Sequence, residues 1–286
     1  MKIYVQSCGI AQKHGYCWLG EDSQKRVDEP EQVKKIQHLI DSEAHSLILA
    51  RGDSDELLLL VTGFTASERK DFMGRTILTS VAWVGKKDDE GKLRAIAVRA
   101  LQSFRGEDSL NDIISKAVQP DTTEGVSDAV QPDTTEGFKV KFESLAAEKL
   151  AKTVEVKNKE PNLTMKIGIA DNRAGELKED LKEYKLPGKK GPLVVYTGSK
   201  NQSALEEAKV WRGLSSLVQN ENWDEKKMSG ETVKGASHAD KRLKFIIILI
   251  VSISLSVLIF LLIISQLGKK PSQVTPTPSA SPTPQS

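Results

Sequence analysis

The sequence predicts an α+β or α/β cytoplasmic region, with a small sheet and flanking helices, followed by one C-terminal transmembrane α-helix. Three observations lead to this fold class. Residues 1–118 contain short apolar runs with the spacing of strands, residues 139–218 contain strand-turn-helix units, and residues 245–267 form an apolar run without a charge. The first two patterns are typical of a sheet covered by helices, and the third is typical of a segment inside a bilayer.

The composition argues against several classes of protein. The 286 residues include 41 basic and 39 acidic side chains, and a net charge of +2 provides no global attraction to nucleic acid. Cys8 and Cys17 belong to no Cys-x-x-Cys or Cys/His ligand pattern, which disfavours a disulfide scaffold and a structural zinc site. We therefore expect no metal, no cofactor and no nucleic-acid partner.

Residues 1–118 are predicted to form one α+β domain with a mostly antiparallel sheet. Helical spacing predicts a helix after Pro30, a longer helix near residues 93–104 and a short one at residues 109–118. Strands grouped apart from helices indicate the α+β class. The five predicted strands are the apolar runs at residues 3–5, 16–19, 47–50, 57–62 and 77–84.

Residues 115–138 are predicted to be a duplicated linker. SKAVQPDTTEGV is followed directly by SDAVQPDTTEGF, and ten of the twelve positions are identical. A second copy inside a packed core would displace every later contact, whereas a loop accepts an insertion at small entropic cost. The alternative is a peptide docking motif that the chain presents twice.

Residues 139–218 are predicted to be a β/α segment that either completes the first sheet or forms a small second domain. A helix is expected at residues 138–154, before two strand-turn-helix units. The first unit has a strand at 163–170, Asp171 and Asn172 as turn and cap, and a helix at 174–184. The second has a strand at 192–197 and a helix at 202–218, so parallel pairing is expected.

The apolar run at residues 245–267 predicts the membrane segment. A helix of 23 residues, at about 1.5 Å per residue, is long enough to cross a hydrocarbon layer of roughly 30 Å. The first 15 residues lack the apolar core of a secretory signal, so we expect this helix to direct insertion itself. The predicted protein is single-pass and tail-anchored, with the lipid bilayer as one of its partners.

The flanks of the apolar run predict its orientation. Residues 219–244 form a polar, basic juxtamembrane tether, whereas residues 268–286 form a Pro/Thr/Ser-rich tail for which we expect disorder. Because basic residues are retained on the cytoplasmic side, the N-terminal region is expected in the cytoplasm and the tail across the membrane. The basic residues before the helix are Lys226, Lys227, Lys234, Lys241, Arg242 and Lys244, and those after it are Lys269 and Lys270.

The loop predicted at residues 63–76 is the leading candidate for partner recognition. It joins two apolar strands and concentrates charged residues with an aromatic residue, as protein interfaces often do. The alternative is an elongated hairpin with a solvated tip. The expected partner-binding residues are Arg69, Lys70, Asp71, Phe72 and Arg75.

A weaker prediction is a phosphate-binding site between strands and helices of the second region. Gly198, Ser199 and Lys200 follow one predicted strand, and Asp171 and Arg173 follow the other. Loops at the carboxyl ends of parallel strands often face one pocket, and helix N-termini favour anions. Ordinary turn and capping chemistry explains the same residues, and the spacing of a P-loop is missing.

No catalytic residue can be assigned from these patterns. Cys8, His14 and Cys17 lie close together in the sequence and suit a Cys-His nucleophile, but the run around Cys17 is typical of a core strand. We therefore expect a structural role, and an enzyme is the less favoured class.

Three functions remain open at this point. The leading hypothesis is an adaptor or regulatory module that binds a cytoplasmic protein at the membrane. One alternative is a membrane effector of a bacterial defence or stress-signalling system, which acts through clustering of its helices and would therefore self-associate. The other is an enzyme that acts on a phosphate or nucleotide ligand.

Overall fold

A computed structural model describes residues 1–23, 25–120, 137–219 and 223–228 of the chain. Within these residues the fold is mixed α/β, and ten strands form one sheet in the order β12-β9-β11-β10-β4-β5-β6-β1-β2-β3. The strands β7 (Val118–Pro120) and β8 (Phe138–Val140) pair separately. The sheet strands are β1 (Lys2–Ser7), β2 (Cys17–Gly20), β3 (Arg26–Val27), β4 (Ser46–Arg51), β5 (Leu57–Lys70), β6 (Thr76–Gly85), β9 (Thr164–Ile169), β10 (Gly191–Thr197), β11 (Arg212–Ser215) and β12 (Asp224–Lys227).

The first six strands form an antiparallel half of the sheet. Its strands β4, β5 and β6 lie in the middle of the ten-stranded sheet, and they contain long buried apolar runs because helices cover both of their faces. The five strands expected from apolar spacing overlap β1, β2, β4, β5 and β6. β5 continues to Lys70 and pairs there with β6, so the segment at 63–76 is an elongated hairpin, which was the alternative interpretation of this sequence.

Gly63 explains how β5 continues past the core. Its φ is +79°, a left-handed conformation, and the pairing register of β5 with β6 shifts between Val61 and Phe64. A Cβ at Gly63 would lie 2.4 Å from the carbonyl carbon and oxygen of Ala44. Glycine therefore permits both the bulge and the close approach of the loop before β4.

The remaining strands form a mixed half of the sheet. Strands β9, β11 and β10 are parallel neighbours, β12 is antiparallel to β9, and β10 is antiparallel to β4. The pairing of β10 with β4 joins the two halves in one sheet. Met1–Met228 accordingly form one compact unit.

Helices cover both faces of the sheet. The helices α2 (Glu90–Phe104), α3 (Leu110–Ala117), α4 (Ala147–Leu150) and α5 (Ala170–Glu183) supply apolar residues to one core layer. The helices α1 (Glu31–Ile36) and α6 (Gln202–Glu207) supply them to the other layer. The connections after β9 and β10 therefore pass over opposite faces of the sheet.

Three segments differ from the sequence prediction. The helix expected at 138–154 begins as β8, because buried Phe138 and Val140 alternate with exposed Lys139 and Lys141, and only α4 and short 3-10 turns follow. The helix expected at 202–218 ends at Glu207, because Lys209 has a φ of +53° and the buried strand β11 follows.

The third difference lies in the expected basic tether at 219–244. Lys226 and Lys227 belong to β12, and Lys226 forms an ion pair with Glu206 at 2.6 Å. The four polar residues of β12 do not show the apolar alternation that predicts a strand. They need none, because β12 is an edge strand that is held by backbone pairing with β9. The remaining tether, the expected membrane segment at 245–267, the tail at 268–286 and most of the duplicated linker lie outside the described residues.

Buried arginines connect the two halves of the sheet region. Arg94 is inaccessible to solvent, and it donates to the carbonyl oxygens of Lys157 (2.9 Å), Leu181 (3.1 Å) and Tyr184. Arg51 donates to the carbonyl oxygen of Pro187 at 3.3 Å. These contacts join residues of 1–118 to residues of 139–218, and the larger core layer contains apolar residues from both segments.

Candidate functional site

The hairpin tip, which we define as Lys70 to Arg75, is an ordered turn. The Asp71 carboxylate Oδ1 accepts hydrogen bonds from the backbone N–H groups of Met73 and Arg75, both at 2.9 Å. The Asp71 N–H donates to the Arg75 carbonyl at 2.8 Å, and Gly74 has a φ of +78° that suits the turn. The turn therefore presents its two central side chains, Phe72 and Met73, in a defined position.

Those two central side chains are exposed although they are apolar. Phe72 is 52% exposed and Met73 is 65% exposed. Two further large apolar residues of the segment before β2 are also exposed, Ile10 at 39% and Tyr16 at 52%. The Tyr16 hydroxyl accepts a hydrogen bond from the Leu78 N–H of β6 at 3.0 Å, so this segment lies against the hairpin.

We call these four residues, together with the hairpin tip, the distal surface. Seven large apolar side chains are exposed in the described part of the chain, and four of them belong to this surface. Scattered exposed apolar residues are normal, whereas a group of them on an ordered hairpin and the segment that lies against it is typical of an interaction site. The distal surface is therefore the strongest binding candidate among the described residues.

Arg69 does not belong to the distal surface as an exposed anchor, contrary to the sequence expectation. Its side chain is buried, with 8% exposure, and it donates to the carbonyl oxygens of Cys8 (2.6 Å) and Val118 (3.2 Å). The guanidinium therefore fastens the segment before β2 and the end of α3 to the hairpin. Arg69 supports the surface from below, and a protein partner cannot reach it.

The charged side chains of the tip offset one another in part. The Arg75 guanidinium lies 2.8 Å from the Asp71 carboxylate, while Lys70 is exposed. Burial alone would raise the pKa of Asp71, but the hydrogen bonds from Arg75 and Met73 outweigh it and lower the pKa. The tip thus has a neutral ion pair beside one exposed ammonium group, which favours a partner with an acidic border.

Cys8 lies beneath this surface in an environment that does not activate a thiol. It is buried, and its side chain shares a hydrogen bond with that of Tyr16. Burial raises the pKa of the Cys8 thiol and also the pKa of Tyr16. A nucleophilic cysteine needs a lowered pKa, so this environment agrees with a structural role. His14 and Cys17 are buried as well, and both cysteines are free thiols.

The residues of the weaker phosphate prediction lie at the carboxyl ends of β9 and β10. Gly198, Ser199 and Lys200 connect β10 to α6, and the Ser199 N–H donates to Thr197 Oγ1 at 3.4 Å. Asn201 caps α6 by accepting from the Ala204 N–H at 3.0 Å. Two backbone donors of this loop are thus bound by the protein. The phosphate assignment remains a prediction from sequence.

Asp171 and Arg173 lie in the first turn of α5 instead of in a turn before it. Arg173 forms an ion pair with Glu176, and its guanidinium lies 5.8 Å from the centre of the Trp223 ring. The strand β11 separates the ends of β9 and β10. The two predicted loops therefore both lie at the carboxyl ends of the strands, but they are not adjacent.

An aromatic stack near the carboxyl end of β10 was not apparent from the sequence. The rings of His45 and Phe104 are stacked with centres 4.5 Å apart, and the rings of Phe104 and Tyr196 are 5.5 Å apart. His45 is exposed on one side, and desolvation by its surroundings lowers its pKa. These residues come from three distant segments, which are brought together by the pairing of β10 with β4 and by the packing of α2 on the same core layer.

Within the described ranges, no group of three or more His, Cys, Asp or Glu side chains could hold a metal ion. None of the helices among those residues combines the length and the apolar character that a membrane crossing requires.

Comparison with known proteins adds no assignment. No protein-family model, no curated protein and no solved structure matches this chain.

Proposed function

We propose that this protein is a membrane-tethered module that binds a protein partner through the distal surface. The observation that carries the proposal is the exposure of Phe72 and Met73 on an ordered hairpin tip. Because hydrogen bonds hold the backbone of the tip in place, binding costs little backbone entropy, and burial of these side chains contributes effectively to affinity. The tether rests on the apolar run at residues 245–267 and on the basic residues that precede it.

The chemistry of the tip favours a particular class of partner surface. An apolar groove would accept Phe72 and Met73, and carboxylates at its border would face Lys70 and Arg75. Aromatic residues and arginines commonly contribute most to binding energy at such interfaces. We therefore propose a protein with an apolar groove bordered by acidic residues.

A photo-crosslinking experiment on the full chain in its membrane identifies this partner. A photoreactive amino acid at position 72 should form one dominant crosslink to a protein. The same amino acid at position 217 should not form it, because Leu217 has a similar exposure of 55% but lies outside the distal surface. Equal crosslinking from both positions would contradict the proposal.

The affinity of the identified partner then tests the apolar contacts directly. Phe72→Ser with Met73→Ser should weaken binding by at least tenfold, which corresponds to about 1.4 kcal/mol. The matched control is Leu163→Ser with Leu217→Ser, since these leucines are 56% and 55% exposed. Both variants should keep the parental unfolding temperature, because all four side chains are exposed. Unchanged affinity in the Phe72/Met73 variant would overturn the proposed interface.

A further inference from the structure

Two lysines come together at the amino ends of β10 and β11, at the opposite end of these strands from the hairpin tip. Lys189 lies two residues before β10, and Lys209 lies three residues before β11. In the parallel pairing of these strands Val194 is opposite Arg212, so the two lysine-bearing turns lie side by side. The φ of +53° at Lys209 turns the chain from α6 into β11 and places this side chain at the edge.

The two lysines lack a compensating carboxylate. Lys189 is partly buried, and burial together with the charge of Lys209 lowers its pKa to about 8. In the described part of the chain neither lysine forms an ion pair, whereas the adjacent Lys190 binds Asp53 at 2.9 Å. Asp53 also lies 3.5 Å from Lys35, so this nearby carboxylate is already shared by two other ammonium groups.

The backbone beside Lys189 is sterically open. Added Cβ atoms at Gly188 and Gly191, on either side of Lys189 and Lys190, would meet nothing within 4 Å. Two ammonium groups held together without an anion repel each other, and a dianion between them would remove that repulsion. A phosphate monoester carries about −1.5 to −2 charges at neutral pH and offers three acceptor oxygens.

We propose that Lys189 and Lys209 form a binding site for a phosphate monoester. The ligand is either a small phosphorylated molecule or the phosphate of an anionic lipid headgroup, since the chemistry of recognition is the same for both. The site uses no residue of the distal surface and is independent of partner binding.

The reactivity of the Lys189 amine measures occupancy of the site in the full chain. The rate of its acylation by an amine-reactive ester is determined by mass spectrometry at pH 8. One arm compares detergent-solubilised protein in inorganic phosphate with protein in chloride at equal ionic strength. The other arm compares protein in nanodiscs of phosphatidylcholine with protein in nanodiscs that also contain phosphatidic acid.

Binding should slow acylation of Lys189 at least threefold, because the anion covers the amine and raises its pKa. Protection by inorganic phosphate indicates a soluble ligand, and protection only by phosphatidic acid indicates a lipid headgroup. Lys70 serves as an internal control because it is exposed at the hairpin tip. An unchanged Lys189 rate in both arms, relative to Lys70, would overturn the proposal.

A variant of the second lysine provides an independent test. Lys209→Asn removes the charge and introduces a residue that tolerates the left-handed backbone conformation at this position. It should raise the pKa of Lys189 and abolish the protection, while Lys185→Gln, which removes an ion pair with Glu160, should leave the protection intact. Full protection in Lys209→Asn would contradict a site formed by both lysines. Phosphate should also raise the unfolding temperature of the parent relative to chloride, and Lys189→Met should lose this increase.

Discussion

The antiparallel half and the mixed half of the sheet are stabilised by different interactions. Strands β4, β5 and β6 bury leucine, valine and tryptophan side chains between helices on both faces. The mixed half has fewer strands, and buried arginines hold it in place. Arg94 donates to carbonyl groups around the end of α5, and Arg212 binds the Asp180 carboxylate and the Thr164 carbonyl. Apolar side chains of the mixed half, such as Leu193 and Leu214, are buried as well, so the difference is that buried arginines add directed polar contacts to the attachment of this half.

The largest expected loss of folding stability is that of Arg94→Met. The substitution removes one of the two buried cations beside Glu90, while Arg51 remains, and it leaves several carbonyl groups without a donor. Breaking a buried charge network typically costs about 3–5 kcal/mol. Hydrogen exchange should increase in α5, β9 and β11 more than in β5 and β6. The control Arg105→Met, at an exposed position after the same helix, should change neither region. Uniform loss of protection across the whole sheet would contradict the proposed difference between the halves.

A cavity in the antiparallel half should act differently. Leu59→Ala removes a fully buried side chain of β5 that pairs with Trp83 of β6, and such substitutions cost about 2–5 kcal/mol. Because β4 and β5 support β10, exchange should rise in both halves together. The measurement is the urea dependence of unfolding combined with exchange of peptides from β5 and β10. Protection lost in β5 alone would show that the halves are independent.

A smaller effect is expected for Arg69→Met. The variant loses two hydrogen bonds to the carbonyls of Cys8 and Val118. A typical hydrogen bond contributes about 0.5–1.5 kcal/mol, so the two together contribute roughly 1–3 kcal/mol. Exchange should rise in residues 8–16 and at the base of the hairpin. Lys70→Met is the matched control because the Lys70 side chain is exposed. A combined change of Arg69 and Arg75 would therefore destabilise the domain as well as alter the distal surface.

The smallest effect concerns the order of the hairpin tip. The Asp71 pKa is lowered in the folded state, so the stabilisation of the turn is present above its ordinary pKa of 3.8 and is lost as the pH falls through the folded value. Asp71→Ala removes the same hydrogen bonds at neutral pH. Trypsin should then cleave faster after Arg75, while the unfolding temperature of the domain stays unchanged. Equal cleavage rates in the variant and the parent would show that other contacts order the tip.

Several features of the molecule followed from the sequence alone. Apolar spacing was sufficient to predict β1, β2, β4, β5, β6, β9 and β10, because most of the side chains that these strands bury in the packed layers are apolar. The sequence also indicated the segment between β5 and β6 as a binding candidate, because Phe72 lies among charged residues and outside any apolar run of the core. The basic asymmetry around residues 245–267 is likewise a property of the sequence.

Other features depend on contacts between segments that are distant in the chain. Arg69 and Arg75 look alike in the sequence, yet one is buried against the carbonyls of Cys8 and Val118 and the other is exposed. Strand β12 is polar because an edge strand needs backbone partners and no apolar face. The pairing of Lys189 with Lys209 follows from the parallel alignment of β10 with β11. Burial and charge compensation are properties of the assembled fold, so only the tertiary structure could decide the role of each of these side chains.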